Sequence, residues 1–399
     1  MGGSHRNRRR ALLAALSVVV AGAATGPVET ASAAAPQWSI VPSPDAAGAG
    51  LSALASLTCT SASDCLAAGA GATSSSTGKP LIERWNGTTW TTVPSPNPGT
   101  NSGLSAISCA SDTACLAMGD TGNDGDTPFG ERWDGNRWSV VASPIPSGVE
   151  LALPESVSCT SATRCMVVGF TYSQLDGVVR TFAERWDGAK LSIVPTPNGP
   201  GGGSLSSVAC FTAKRCIAVG STSPTALTRT AMAAQWDGAH WSVVKVPSPP
   251  GGKRSSFGGV SCASETMCMA TGTWARSNDQ LAATMTLTER WNGKAWSYVA
   301  SPKPVGAGRA GFGGVSCPSA TSCMAVGTFV STPHHTLTVK GFAELWNGRS
   351  WAISPLPNPA GADDADIAAI ECPSVLNCVA VGGNFTGTQT GDTLAEVYR

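Results

Sequence analysis

Val315-Ser316-Cys317-Pro318-Ser319-Ala320-Thr321-Ser322-Cys323-Met324-Ala325-Val326-Gly327 is followed, some twenty residues on, by Glu344-Leu345-Trp346-Asn347-Gly348-Arg349-Ser350-Trp351. Near-copies of this pair recur about every 50 to 55 residues along the chain. A period of that length is the mark of a propeller or solenoid, in which each unit buries its apolar face against the next. In the first half of each unit a short alternating run leads into a cysteine, and an apolar run follows a second cysteine. Two such runs flanking a Ser/Ala/Thr loop read as a β-hairpin.

The cysteine pairs are Cys59/Cys65, Cys109/Cys115, Cys159/Cys165, Cys210/Cys216, Cys262/Cys268, Cys317/Cys323 and Cys372/Cys378, each with five residues between its members. Zinc spacings are shorter, and no partner cysteines or histidines accompany each pair. The pairs are therefore expected to be disulfides across the mouths of the hairpins. Each would be worth about 2.4 kcal/mol on the chain-entropy model for a seven-residue loop.

The second half of each unit is a further hairpin. Its turns are Asn86-Gly87, Asp134-Gly135, Asp187-Gly188, Asp237-Gly238, Asn292-Gly293 and Asn347-Gly348. Asn-Gly and Asp-Gly favour hairpins because both residues tolerate positive φ. Tryptophans bracket these turns, except in the third copy, where Leu191 follows Trp186. The strand after the turn runs into proline, as in Val93-Pro94-Ser95-Pro96, which places it at a sheet edge.

Each unit thus holds four strands: a before the first cysteine, b after the second, c before the turn and d after it. Four-stranded units of this length are propeller blades. Strand a is rich in small residues, as in Gly313-Gly314-Val315-Ser316, which suits the crowded axis. Past the N-terminal segment the chain opens on a lone strand d, Trp38-Ser39-Ile40-Val41, and ends on a strand c, Leu394-Ala395-Glu396-Val397-Tyr398. The expected fold is all-β: a seven-bladed propeller closed by the N-terminal strand completing the last blade, which would remove exposed sheet edges.

Residues 1–35 read as a signal peptide. Arg6, Arg8, Arg9 and Arg10 precede the apolar run Ala11 to Ala24 and the small-x-small site Ala31-Ser32-Ala33. Arg9-Arg10 also permits a twin-arginine reading, with general secretory export preferred. The propeller is expected over 36–399, secreted, and extracellular or cell-wall associated, where paired cysteines oxidise. No second apolar stretch is long enough to span a bilayer. Twenty-six basic side chains balance twenty-six acidic ones, which argues against a nucleic-acid partner.

The motifs V-S-C-x5-C-x-A-V-G and E-x-W-[ND]-G-x-x-W-S make the whole mature chain resemble a group of secreted Cys/Trp-repeat β-propeller proteins of high-GC Gram-positive bacteria. That resemblance implies export and a repeat fold and brings no activity with it. The Asp/Asn-Gly turn and later Trp also look distantly like the Asp-box of sialidase-type propellers, although the leading Ser and its spacing are absent.

A residue present in every unit serves the unit. This applies to the tryptophans and to Glu83, Glu131, Glu184, Glu289, Glu344 and Glu396, which recur two residues before the strand c aromatic, with Ala234 the exception. The carboxylates are expected to accept hydrogen bonds from backbone donors, since a buried carboxylate needs partners. Function should lie in what varies, the b–c and d–a loops of one face. There the candidate ligand-binding residues are Tyr172, Arg180, Arg229, Arg254, Trp274, Arg276, Arg309 and His334. An aromatic side chain beside arginines suits a sugar or an anion. Asp120, Asp124 and Asp126 could hold calcium, although the closing glutamate of a calcium loop is missing. No other cofactor is expected.

The reading that follows is a monomeric, non-enzymatic binding propeller whose partner is a glycan, a cell-wall polymer or a protein. The alternatives are a sialidase-like glycoside hydrolase or lyase, and a structural component of the cell envelope.

Overall fold

The structure, a computed structural model, describes residues 36–73, 78–122, 127–225, 228–331, 338–386 and 390–399. The expected signal peptide, Asp124, Asp126 and His334 lie outside them. Pro36–Arg399 forms one compact unit built from antiparallel sheets.

After the short β1 (Trp38–Val41) come β2 (Leu51–Ser61), β3 (Asp64–Ala72), β4 (Gly78–Trp85) and β5 (Trp90–Val93). The next repeat is β6 (Gly103–Ser111), β7 (Ala114–Thr121), β8 (Thr127–Trp133) and β9 (Trp138–Ala142). The third is β10 (Leu151–Ser161), β11 (Arg164–Ser173), β12 (Val178–Trp186) and β13 (Leu191–Ile193). The fourth is β14 (Gly203–Thr212), β15 (Arg215–Thr225), β16 (Thr228–Trp236) and β17 (Trp241–Val244). The fifth is β18 (Arg254–Ser264), β19 (Met267–Ala275), β20 (Met285–Trp291) and β21 (Trp296–Tyr298). The sixth is β22 (Arg309–Ser319), β23 (Ser322–Ser331), β24 (Thr338–Trp346) and β25 (Trp351–Ser354). The chain ends with β26 (Asp364–Ser374), β27 (Asn377–Thr386) and β28 (Thr390–Tyr398).

Repeats two to six each form a four-stranded sheet in chain order, with the proline-bounded strand d at the outer edge. The first repeat, β26–β28 and β1 are joined into one eight-stranded sheet. The join between β2 and β28 is a single parallel bridge, Leu51 to Gly391. β1 pairs with β28 in the register Trp38–Tyr398 to Val41–Ala395, matching the place of β5 on β4, where Trp85 faces Trp90. The inner strands pack side by side in the order β2, β6, β10, β14, β18, β22 and β26, and β26 also packs on β2. Repeated four-stranded sheets stacked through their inner strands make this an all-β propeller.

Core residues come from adjacent sheets rather than from within one. Leu66, Ala68 and Ile82 pack with Leu104, Ile107, Phe129 and Trp133 of the next repeat. Leu54, Leu57 and Trp85 pack likewise with Val379, Val381 and Val397. Where a hydroxyl residue precedes the first cysteine, at Thr58, Ser108, Ser158, Ser261 and Ser316, it ties its inner strand to the next. The Cys159 amide donates to Ser108 Oγ at 3.0 Å, Cys210 to Ser158 at 3.0 Å and Cys372 to Ser316 at 2.9 Å. These bonds satisfy amides that the antiparallel ladder leaves free on the axial side.

The expected pairs are all disulfides: Cys59–Cys65, Cys109–Cys115, Cys159–Cys165, Cys210–Cys216, Cys262–Cys268, Cys317–Cys323 and Cys372–Cys378. Each bridges strands a and b with Cα atoms 3.9–4.0 Å apart. Their number fits an oxidising compartment. The bridges span the hairpins as expected, and their second cysteines are also part of the core. The second cysteine of every pair, Cys65, Cys115, Cys165, Cys216, Cys268, Cys323 and Cys378, is buried. The cause is the place of strand b between strands a and c. There Cys65 lies opposite Trp85, Cys115 opposite Trp133 and Cys165 opposite Trp186. Cys216, Cys268, Cys323 and Cys378 likewise face Trp236, Trp291, Trp346 and Tyr398. These sulfurs are packing groups of the frame and belong to no ligand site.

Every inner strand carries a bulge just before this ladder, for instance between Pro154 and Ser156. The bulge carries a strand a carbonyl over strand b. A Cβ at Gly169 would stand 2.0 Å from Leu153 O, and one at Gly327 2.0 Å from Gly311 O. The glycine of A-V-G is therefore required by close backbone approach.

The Asn/Asp-Gly turns differ from expectation in one respect. Only the glycine has positive φ, 93° at Gly87 and 94° at Gly135, and among the described residues the sole non-glycine with positive φ is Asn101. The preceding residue acts as an acceptor instead. Asp134 Oδ1 takes the amides of Asn136 and Arg137, both at 2.9 Å, which closes a four-residue loop. The backbone donors hold the carboxyls of Asp134, Asp187 and Asp237 below the usual range. Above the turns the indoles pair, Trp85 with Trp90 at 5.5 Å and Trp346 with Trp351 at 5.7 Å. Trp38 and Tyr398 make the same contact across the chain ends at 5.4 Å.

Candidate functional site

The recurring glutamates are fully buried. Four of the six accept from hydroxyls rather than from the expected backbone amides, and neither oxygen of Glu289 has a partner among the described residues. Ser43 Oγ donates to Glu83 at 2.6 Å, Ser95 to Glu131 at 2.8 Å, Ser143 to Glu184 at 2.9 Å and Ser301 to Glu344 at 2.7 Å. Each serine sits in the linker after strand d and reaches the carboxyl of the following sheet. Where Ala234 replaces the glutamate, the linker carries Thr196, which bonds Thr181 of its own sheet. One hydroxyl does not replace the hydration of a carboxylate. Burial pushes the pKa up to about 7 at Glu83, Glu131 and Glu344, and to about 8 at Glu184, Glu289 and Glu396. These groups are frame, and the site has to be sought elsewhere.

The unrepeated residues converge between the fourth and fifth sheets. A cavity of about 310 Å³ opens there, lined by Arg229 at the start of β16, Arg254 at the start of β18 and Trp274 at the end of β19. Ser256, Thr273 and Thr284 add hydroxyls, and Gln280 comes from the loop between β19 and β20. At the equivalent places the first repeat has Gly78, Leu51 and Gly71. Antiparallel pairing explains the convergence. The starts of strands a and c and the end of strand b all lie at one end of a sheet, with Trp274 opposite Ser255 and Met285.

Arg254 Nη1 donates to Asn278 O at 3.3 Å, and Arg309 Nη2 to Gln280 O at 3.4 Å, so two arginines from successive inner strands hold the intervening loop. Arg229 is exposed and has no hydrogen-bond or ion-pair partner among the described residues. Arg309 itself lines an adjoining cavity of about 460 Å³ that shares Thr273 and Thr284 with the first and includes Asp366.

Trp274 departs from the exposed platform that its sequence setting implies. It is 6% exposed, its Nε1 donates to Thr286 O at 3.0 Å, and Tyr298 meets it edge-on at 6.4 Å. The Arg276 guanidinium lies 5.6 Å from its ring centroid. The indole is a wall of the cavity, and Arg276 occupies the position over its ring. The polar edge of Trp274 finds its partner inside the sheet because a buried indole N–H must.

The other candidates are placed apart. Tyr172 pairs with Leu151 and Val179 in the third sheet and does not line this cavity. Arg180 is ion-paired with Asp176 and lines a separate cavity of about 390 Å³. Asp120 sits on β7 with its carboxyl raised by burial, close enough to Glu155 to raise that group further. Glu155 occupies the bulge position of its inner strand, where the other repeats carry small residues such as Ala55 and Gly258. Among the described residues no group of three or more His, Cys, Asp or Glu is arranged to hold a metal ion. No helix among them is long and apolar enough to cross a membrane.

No protein-family model matches the chain, and no curated protein does. Solved structures share its fold. YCF48 from Cyanidioschyzon merolae superposes over 91% of this chain and 98% of its own, with TM-score 0.52 and 13% identity. The GH74 xyloglucanase from Xanthomonas campestris has TM-score 0.52 and 13% identity over 90% of this chain, which spans 55% of that enzyme. A protein of unknown function from Dyadobacter fermentans matches over 91% of this chain and 98% of its own, with TM-score 0.50 and 9% identity. At these identities the likeness is one of fold.

Proposed function

We propose that the chain is an exported, non-catalytic binding propeller whose ligand, a glycan, cell-wall polymer or protein, enters the cavity between the fourth and fifth sheets. The observation that carries this reading is the substitution of Arg229, Arg254 and Trp274 into positions where the first repeat has Gly78, Leu51 and Gly71, all three lining one cavity. A frame that repeats its buried residues so closely leaves such departures to be explained by binding. The cavity volume falls at the lower end for small-ligand sites, about 300–1,000 Å³.

The frame proposed is seven blades over 36–399, the last completed by β1 after removal of residues 1–35. Support comes from the β1–β28 register, the Trp38–Tyr398 contact and the packing of β26 on β2. Further support is Arg399, whose backbone pairs with Gln37 and whose guanidinium lies 5.4 Å from the Trp85 ring. Kinship with the secreted Cys/Trp-repeat proteins agrees with this architecture.

Glycoside hydrolysis needs a pair of carboxyls flanking the scissile bond. Among the described residues no carboxylate lines the 310 Å³ cavity, which favours binding over turnover. A glycan-binding panel tests the proposal. Saturable binding that is lost in Arg229→Ala supports it. Turnover of any chromogenic glycoside or polysaccharide abolished by the same substitution replaces it with an enzyme.

A further inference from the structure

We infer that the ligand of this cavity presents an anionic group, as the carboxylate, phosphate or sulfate of a substituted sugar, and that Arg229 and Arg254 receive it. The inference rests on the binding reading above and adds the charge of the ligand.

Four arginines stand at this end of the fifth sheet and its neighbours: Arg229, Arg254, Arg276 and Arg309. Among the described residues the only ion pairs are Arg84–Asp64 and Arg180–Asp176, so none of the four is neutralised by a carboxylate. Lys253 adds a further exposed cation beside Arg254. The carboxylate carried on the same loop, Asp279, is exposed and spends its Oδ1 on the Leu281 amide at 2.9 Å. In the adjoining cavity Asp366 accompanies Arg309, which leaves the unbalanced charge on the side of Arg229 and Arg254.

The two lining arginines differ in readiness. Arg254 is partly buried and anchored through one nitrogen to Asn278 O, which leaves the rest of its guanidinium fork unengaged. Arg229 has no partner to surrender. A planar fork matches the paired oxygens of a carboxylate or phosphate, and such charge-assisted bonds are about twice as strong as neutral ones. The remaining lining is hydroxyl-rich, with Ser256 Oγ and Thr273 Oγ1 3.2 Å apart on the cavity wall. Hydroxyl and amide groups of this kind recognise the ring oxygens and hydroxyls of a sugar, while the arginines take its charge.

The test uses the full mature chain and matched probes: uronate-bearing, sulfated and phosphate-bearing oligosaccharides beside the neutral oligosaccharides of the same sugars. Affinity is read by calorimetry or a glycan array at low and high salt. The expected result is binding of at least one anionic probe, weakened by salt, with its neutral counterpart weaker by roughly tenfold or more. Arg229→Ala and Arg254→Ala each lower affinity by roughly tenfold or more, and Arg137→Ala on a c–d turn has no effect. Because Arg254 also holds the loop, Arg229→Ala, which breaks no hydrogen bond or ion pair among the described residues, is the deciding variant. Equal, salt-independent binding of the neutral probes overturns the anionic assignment and leaves the binding reading standing. Binding of none of the probes by folded protein overturns the anionic assignment and removes a glycan from the binding reading. The uronate, sulfate and phosphate arms identify which anion the cavity accepts.

Discussion

Replacing Glu184 by glutamine isolates the energetics of the buried carboxyls. Glu184 is fully buried, accepts one hydroxyl from Ser143 at 2.9 Å, and has its pKa raised from 4.5 to about 8, chiefly by burial. Between those two values the folded state holds a proton that the unfolded chain has released. Stability from this group is therefore fully present below pH 4.5 and falls as pH rises toward 8. One pKa unit corresponds to about 1.4 kcal/mol, so ionising this site at pH 8 costs on the order of 4 kcal/mol. Glutamine keeps the shape and an acceptor for Ser143 and does not titrate. Glu184→Gln is expected to lie within about 1 kcal/mol of the parent at pH 5 and to exceed its stability by on the order of 3 kcal/mol at pH 8. The parent's own melting temperature falls over the same window, because the other five recurring glutamates are displaced in the same direction. Urea titrations at the two pH values with disulfides intact give the comparison. A variant less stable than the parent by the same amount at both pH values would show that Glu184 is ionised and satisfied in the fold, and the reasoning would fail.

The other expectations concern the frame. Gly169→Ala places a methyl 2.0 Å from Leu153 O and is expected to cost more than about 3 kcal/mol, seen as a large drop in melting temperature; an unchanged melt would mean the bulge relaxes freely. Removing Trp38–Pro44 strips β1 from β28 and the Trp38 ring from Tyr398, so melting should drop well below that of the intact chain, and an identical melt would refute the proposed closure. The fourteen cysteines should show no thiol reactive toward a chromogenic disulfide until the unfolded chain is reduced, and abundant reactive thiol would contradict the seven bridges. Trp274→Ala should destabilise by about 3–5 kcal/mol as a core truncation, whereas Arg229→Ala should leave the melt unchanged, a contrast that thermal unfolding reads directly.

Much of the frame was legible because its signals are local. Alternation before Cys317 and the apolar run after Cys323 specify two strands, the spacing between the cysteines specifies the bridge, and proline after strand d specifies an edge. The burial of Cys323 and its counterparts was not legible, because it depends on the strand c aromatic that the sheet sets opposite each one. The expectation for the turns was right in place and wrong in mechanism: glycine supplies the positive φ, while Asn or Asp supplies an acceptor. The expectation for Glu184 and its counterparts was right in being structural and missed the donor, since Ser143 belongs to the linker of another sheet 41 residues away. The glycine of A-V-G passed as part of an apolar run, because nothing in a single strand announces the carbonyl that a neighbouring bulge brings over it.

The candidate residues show the same boundary. In the sequence Arg229, Arg254 and Trp274 stand out only as departures from the repeat, and Tyr172 and Arg180 stand out on the same ground. The fold gathers the first three around one cavity, turns Trp274 into its wall, and leaves Arg180 paired with Asp176 in another. Strand identity, hairpin pairing and bridge positions depend on neighbours a few residues apart, so the amino-acid order alone determined them. Which carbonyl meets a glycine, which hydroxyl reaches a buried carboxyl and which arginines share a cavity depend on how one sheet is set against the next. That setting is decided by packing between repeats some fifty residues apart, and only the tertiary structure contains it.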